Sequence, residues 1–385
     1  MKQVRAILSY ILVALLASMV TMYLSTEPAA ENTYNKLDEL ESLIEEYFIE
    51  EADSAAMEDA AAAAMVESLG DKWSYYMTAQ DYVAYLEQMH NAYVGVGITI
   101  TVAEDGSGFE ILKVDEGGPA DEAGMLPGDV IIQIEDQSAA GMDTTQARDL
   151  VRGKEGTQVN LSVRRGEETI EMAVTRRTVE TPVAKAQMLE DGIGLVTIYN
   201  FDDRCAQETV AAIQNLQEQG AQKLIFDVRN NPGGYKHELV KILDYLLPEG
   251  PLFRSENYTG KIEVDESNAK CLDVPMAVLI NSESYSAAEF FAAALDEYDA
   301  AIIVGEKTTG KGYFQSTFEL KDGSAVGLSI GKYTTPNGVS LADVGITPEV
   351  IVEVDDETAF RIYAESIDPS EDPQIQAAMK ALMEE

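Results

Sequence analysis

Histidine is almost missing: the 385 residues include only His90 and His237. That scarcity argues against a Cys/His metal centre and leaves a histidine-based proton relay little choice of partner. Cysteine is as sparse, with Cys205 and Cys271 alone, too few for a disulfide framework. They read as two separate thiols, although an oxidising compartment would let them pair if the fold brought them together. Basic residues are the third shortage. Lys and Arg number 27 against 68 Asp and Glu, a net charge of −41. Such a surface repels phosphate backbones and anionic lipid headgroups, which excludes nucleic-acid binding and electrostatic membrane adsorption. No EF-hand loop or H-E-x-x-H accompanies the acidic residues, so they imply solvation, no metal site and no cofactor.

One long apolar run is present. Ala6–Leu24 is uncharged and mostly hydrophobic, and it comes just after Lys2 and Arg5. Its length suits a bilayer span, and the leading positive charges place the remainder of the chain outside the cytoplasm. Ser25–Ala30 offers only weak cleavage sites, so residues 1–30 read as a signal anchor of a single-pass membrane protein. Secretion after signal cleavage is the alternative.

The informative chemistry lies further on. Val274–Ile280 (V-P-M-A-V-L-I) is a buried-strand run, followed by N-S-E-S-Y-S and the Ala-rich A-A-E-F-F-A-A-A-L. Ser286 therefore falls where strand becomes helix, beside free backbone N–H groups. The same residues also spell a helix cap, with Ser286 at N-cap and Glu289 at N3. Downstream, the strand Ala301–Val304 runs into G-E-K-T-T-G-K-G-Y-F-Q. A serine hydroxyl needs a base to become a nucleophile, and a buried lysine can be neutral enough to serve. Lys311 is positioned for that role across one strand, and Gln315 is placed to orient its amine.

These segments resemble the carboxyl-terminal processing (tail-specific) serine proteases, whose motifs read roughly N-x-x-S-A-S-A-S-E and G-x-K-T-F-G-K-G-x-x-Q. The resemblance makes Ser286 the nucleophile, Lys311 the general base and Gln315 its orienting partner. Departures are Tyr285 and Ala288 around the serine and Thr309 after it; Tyr285 is expected to reshape the substrate pocket. The strand Lys223–Val228 ends in R-N-N-P-G-G, similar to the family's D-[LV]-R-x-N-x-G-G. By that resemblance the N–H of Gly233 or Gly234, with that of Ala287, forms an oxyanion hole. L-G-D-K-W-S-Y-Y-M-T, Y-T-T-P-N-G and G-I-T-P-E match further family segments, so the likeness covers nearly the whole chain beyond residue 30.

Between Tyr93 and Val179 the pattern is that of a small β-rich domain. It holds V-G-V-G-I-T-I, E-I-L-K-V, then G-G-P-A-D-E-A-G-M-L-P-G-D-V-I-I, a helical Thr144–Val151 and a hairpin around Arg165-Gly166. The order resembles a PDZ domain. In that resemblance the loop Val94, Gly95, Val96 and Gly97 presents N–H groups to a peptide's terminal carboxylate, although the glycines alone would also suit a tight bend. Arg152 matches a position that in relatives couples the PDZ domain to the protease. Asn32–Leu69 is helical in pattern, with Leu37, Leu40, Ile44, Tyr47 and Phe48 forming an apolar stripe. Family members use such helices for homodimerisation as well as for packing on their own domain.

The expected fold is α+β and multidomain: anchor 1–30, N-terminal helical region 31–90, PDZ domain 91–179, α/β protease core 180–354 and acidic tail 355–385. The expected function is extracytoplasmic cleavage of proteins or peptides near their C-termini. Two rivals stand against it. Gly305–Lys311 satisfies G-x-x-x-x-G-K, but Gly312 comes next where a P-loop needs Ser or Thr, and the segment beyond it reads as strand. A non-catalytic PDZ scaffold on a degenerate protease fold is the second, and it predicts that Ser286 is dispensable.

Overall fold

The computed structural model describes residues 35–268 and 270–384. The apolar stretch Ala6–Leu24 lies outside them; among the described residues no helix is long and apolar enough to cross a membrane. The chain divides into two units, with the boundary after Ser68.

In the first unit the helical pattern is interrupted. Helices Lys36–Tyr47 and Ser54–Glu67 are separated by a bend. Asp53 begins the second helix by accepting from the amide of Ala56 (3.0 Å), a cap inside a run that otherwise looks continuous.

In the second unit, strands Ile98–Val102, Phe109–Val114, Val130–Ile134, Gln158–Arg165 and Glu168–Thr175 form the main path of an antiparallel sheet, covered by helices Pro119–Glu122 and Thr144–Val151. Their inward residues, among them Phe109, Ile111, Ile131 and Leu161, make a core of their own. Asp143 and Gln146 close a capping box on the longer helix. The buried Arg176 guanidinium fixes its other end, donating to the carbonyls of Leu150 (2.9 Å) and Val151 (2.8 Å).

The C-terminal half is built on six strands in the order Ala184–Met188, Ile193–Ile198, Lys223–Asp227, Met276–Ile280, Ala301–Gly305 and Val350–Ile351. All neighbouring pairs are parallel except the first. Apolar runs such as M-A-V-L-I are expected here, because both faces of the sheet are covered. Met276, Val278 and Ile280 face helices Cys205–Glu218, Lys236–Leu246 and Ala287–Glu297, while Ala277 and Leu279 face helix Pro373–Glu384.

That last helix lies in the segment expected to be an acidic tail. It instead packs through Ile375, Ala378 and Leu382. Its start is tied to the sheet by the buried Arg229, which donates to Asp227 (2.6 Å and 2.9 Å), Asp372 (3.2 Å) and Gln374 (2.9 Å). A second, antiparallel sheet has Ala325–Thr334 at its centre. That strand pairs with Tyr75–Met77, Gly250–Asn257 and Tyr313–Glu319, and Ile262–Ser267 extends the sheet beyond Gly250–Asn257. It packs Tyr333, with Leu252 and Phe253, into the core that covers the parallel sheet.

Candidate active site

Three loops leave the C-terminal ends of adjacent parallel strands, where crevices form in open α/β sheets. The loop after Met276–Ile280 carries Ser286, with φ 58° and ψ −125°. A non-glycine residue persists in such a conformation only where its surroundings hold it. Here the Tyr285 amide donates to the Asn231 carbonyl (3.2 Å) and the Ser284 hydroxyl to the Val228 carbonyl (2.7 Å). The Ser286 amide donates to Glu289 Oε2 (3.0 Å). The cap geometry and a half-buried, cleft-facing hydroxyl thus coexist in one turn: the carboxylate holds the serine backbone while Ser286 lines a cleft of about 850 Å³.

The loop after Lys223–Asp227 brings Gly233 against this turn. A Cβ on Gly233 would lie 2.7 Å from Ser286 Cβ and 2.9 Å from the Ala287 amide nitrogen, so only glycine fits. The Gly233 N–H is already committed to Asn231 Oδ1 (2.9 Å). The N–H groups of Gly234 and Ala287 have no acceptor among the described residues, which leaves these two donors for a ligand oxygen.

The loop after Ala301–Gly305 carries Lys311. Its amide donates to Glu289 Oε2 (2.8 Å) and that of Gly310 to Oε1 (2.7 Å), so one carboxylate holds both the serine and the lysine backbones. Close packing fixes this loop. A Cβ on Gly310 would meet the Gly345 amide nitrogen at 2.7 Å, and one on Gly312 the Ala342 Cβ at 2.4 Å. The Lys311 amine lies 5.0 Å from the Trp73 ring centroid. Burial lowers its pKa to about 8, although the carboxylates of Glu289 and Asp71 pull the other way. Lys311 and Ser286 line the same cleft. Among the described residues Ser286 Oγ is hydrogen-bonded to Tyr333 Oη (2.9 Å) and not to the lysine.

The chain is similar to known proteins. The profile of peptidase family S41 matches residues 192–352, and that of the PDZ domain matches residues 110–165. The carboxy-terminal processing protease CtpA of Bacillus subtilis (strain 168) is 30% identical over 369 residues, covering 92% of this chain and 78% of that protein. The chain belongs to peptidase family S41. The S41 assignment, with its CtpA relatives, makes it a serine-type peptidase. A "Probable CtpA-like serine protease" of Staphylococcus aureus (strain COL) is 30% identical over 328 residues, covering 84% of this chain and 65% of that protein. A solved structure of a candidate S41 protease from Bacteroides fragilis NCTC 9343 shares the fold at a TM-score of 0.55 and 17% identity, covering 90% of this chain and 97% of that one.

Other residues singled out in this S41 chain fall in and around the cleft. Gln315 lines it, but its Nε2 donates to Ser329 Oγ (2.9 Å). Its Oε1 accepts from none of the described residues. Tyr285 is not among the cleft-lining residues and packs on Trp73, with ring centroids 6.1 Å apart. Arg152 lies at the end of helix Thr144–Val151, with its guanidinium 4.6 Å from the Tyr93 ring centroid and 2.5 Å from Glu87 Oε2. Glu87 sits on helix Ala79–Met89, whose Tyr85, Gln88 and Met89 line the cleft.

Val94 and Gly95 lie on strand Ala92–Gly95, paired with Arg177–Glu180. The Val96 carbonyl accepts from Ala120 (2.9 Å) and that of Gly97 from Asp115 (3.0 Å), and Gly97 has φ +75°. His90 and His237 are not among the cleft-lining residues, and Cys205 and Cys271 are free thiols.

Sequence reasoning missed Tyr333, and it read Glu289 only as a cap. Tyr333 stands in the Y-T-T-P-N-G segment, but no local signal showed that it faces Ser286.

Proposed function

We propose that this S41 peptidase cleaves proteins near their C-termini with Ser286 as nucleophile and neutral Lys311 as general base. The observation carrying the reading is that a strained serine, a burial-depressed lysine and two uncommitted N–H donors converge on one cleft. Lys311 takes the Ser286 proton, Oγ bonds to the scissile carbonyl carbon, and the oxyanion is received by the N–H groups of Ala287 and Gly234, with Gly233 shaping the loop. Gln315 contributes its free Oε1 toward the lysine amine. The leaving amine takes the proton back from Lys311, and water then hydrolyses the acyl-enzyme. The cleft wall is largely apolar, with Met77, Leu239, Phe253, Phe290 and Ile330, which favours uncharged side chains beside the scissile bond.

The reading extends to delivery and location. The Val94–Gly97 segment, the end of a strand and the turn after it, takes the substrate's terminal carboxylate, and residues 1–30 anchor the chain with its catalytic part outside the cytoplasm. Helix Lys36–Tyr47 offers its leucines to a second copy. Amidating a substrate's C-terminus raises its KM if the PDZ loop captures carboxylates; an unchanged KM removes that part of the scheme.

The direct test incubates the full-length chain with a serine-directed acylating probe and maps the adduct. Labelling of Ser286, absent in Ser286→Ala, is the expected outcome. Equal cleavage by wild type and variant would leave the scaffold reading. Arg152 is the proposed link between PDZ domain and cleft through Glu87. Arg152→Ala is expected to change turnover of protein substrates by on the order of 5-fold or more while leaving probe labelling of Ser286 intact.

A further inference from the structure

The hydroxyl hydrogen-bonded to Ser286 Oγ is supplied by Tyr333, from a strand of the antiparallel sheet. Tyr333 is 6% exposed, and its ring is wedged among three others. Phe290 meets it edge-on with centroids 4.5 Å apart, Phe253 lies at 5.5 Å, and Phe314 stacks at 6.0 Å. The next residue but one is pinned as well: Thr335 Oγ1 donates to Glu297 Oε1 (2.5 Å). The Tyr333 hydroxyl cannot leave Ser286 without unpacking this aromatic cluster, so it is a fixed feature of the site.

What a fixed phenol can do beside a nucleophile is limited by proton counting. Ser286 Oγ has one proton and two lone pairs. In the acylation step the proton passes to Lys311 Nζ, one lone pair forms the bond to the carbonyl carbon, and the carbonyl π pair moves onto the oxyanion. The O–H bonding pair stays on Oγ, so two lone pairs remain there and one of them can accept a hydrogen bond. If Tyr333 instead accepted the Ser286 proton, it would hold that proton away from Lys311 and oppose the reaction.

We propose that Tyr333 is a further catalytic residue, whose O–H donates to Ser286 Oγ, fixes the serine rotamer toward the cleft and stabilises the negative charge that grows on Oγ as its proton leaves. The tyrosine keeps its own proton throughout; burial holds the phenol above its ordinary ionisation range, consistent with a donor that is never spent. A hydrogen bond to developing charge is stronger than one to a neutral hydroxyl, so the contact favours the transition state over the resting enzyme. The inference rests on the reading of Ser286 as nucleophile and adds a third group at its reacting atom.

The test is Tyr333→Phe in the full-length chain, which removes one oxygen and keeps the ring in its aromatic cluster. The rate of acylation of Ser286 by the probe, and kcat and KM on an unfolded protein substrate, are measured below the variant's melting temperature. The expected result is a fall of about 10- to 100-fold in acylation rate and kcat, the range of a single donor at a reacting oxygen, with KM within about 2-fold. Unchanged or faster acylation overturns the proposal, the faster case marking the tyrosine as an acceptor that restrains the serine.

A double-variant cycle with Lys311→Met separates chemistry from structure. If Tyr333 assists the proton transfer, its removal costs much less once the base is gone. A full, multiplicative loss in that background reduces it to a packing role and overturns the proposal. Ser286→Ala run alongside keeps the premise distinct. If that variant retains cleavage, the nucleophile reading has failed, whatever the tyrosine variant does.

Discussion

Lys311→Met lowers kcat/KM by at least about 10²- to 10⁴-fold, the range for a lost general base, and it does so without lowering the melting temperature. The two halves of this expectation come from one fact. The lysine is buried enough to bring its pKa from its ordinary 10.5 to about 8, so the folded protein carries an amine that would be better solvated in the unfolded chain. A folded-state pKa below the unfolded one means that stability is reduced below pH 8 and recovers as pH rises from about 8 to about 10.5. Replacing the amine with a methionine of similar reach removes that burden. The opposing losses are the contact with the Trp73 face, about 0.5–2 kcal/mol, and the attraction of Glu289 and Asp71, which burial already outweighs. A variant that is inactive because it unfolds would show the opposite sign, and thermal melts at pH 7 distinguish the two.

The same shift sets the pH profile of the wild type. The base works in its neutral form, so kcat/KM rises with pH through about 8 and levels off above it. Lys311→Arg keeps a cation that cannot shed its proton in this range, so its residual activity should show no such rise. A wild-type profile that is flat between pH 6 and 9 would remove Lys311 from the role of base.

How much of this was legible in the residues depends on whether the signal was local. Ser286 and Lys311 each come after an apolar strand and sit in a tight glycine- or serine-rich turn, so the two could be read as bracketing one strand. Gly233 was legible for the same reason. The helix cap and a cleft-facing serine hydroxyl were read as rivals, whereas the structure has both in one turn, because Glu289 caps the backbone while Oγ is hydrogen-bonded to Tyr333. Tyr333 and Trp73 reach the site from the antiparallel sheet and a distant loop, and their approach is fixed by strand register that no local periodicity encodes.

Strands Gly250–Asn257 and Ile262–Ser267 also escaped notice. Their exposed faces mix charge into the alternation, as in I-E-V-D-E-S, so the period-2 signal is weak. The terminal helix was visible as helix, but its acidic neighbourhood suggested a tail. The packing of Ile375, Ala378 and Leu382 and the pairing of Arg229 with Asp372 across 143 residues show that it closes the core.

Glu289 holds the Ser286 and Lys311 loops together, and its removal is expected to be the most damaging change outside the proposed reacting groups. The carboxylate is fully buried and accepts four hydrogen bonds: from Thr308 Oγ1 (2.5 Å) and the Gly310 amide (2.7 Å) on one oxygen, and from the amides of Lys311 (2.8 Å) and Ser286 (3.0 Å) on the other. Burial pushes its pKa up while these donors pull it down. Glu289→Ala strands several of these donors in a dry site, which costs about 1–3 kcal/mol for each donor left unsatisfied. Glu289→Gln keeps the volume, but whichever side its NH₂ group takes it faces at least one backbone N–H donor, that of Gly310 or those of Lys311 and Ser286, so it should rescue only in part.

Because the serine turn is strained and Glu289 binds the backbones of both loops, alongside the Thr309 hydroxyl that donates to the Ser282 carbonyl (2.5 Å), a displacement of about 1 Å is enough to cost about 10²-fold in rate. Both variants should therefore lose melting temperature and acylation rate together, whereas Lys311→Met loses only the second. Either Glu289 variant with wild-type labelling of Ser286 would show that the two loops are held without it, and that the carboxylate is a helix cap and nothing more.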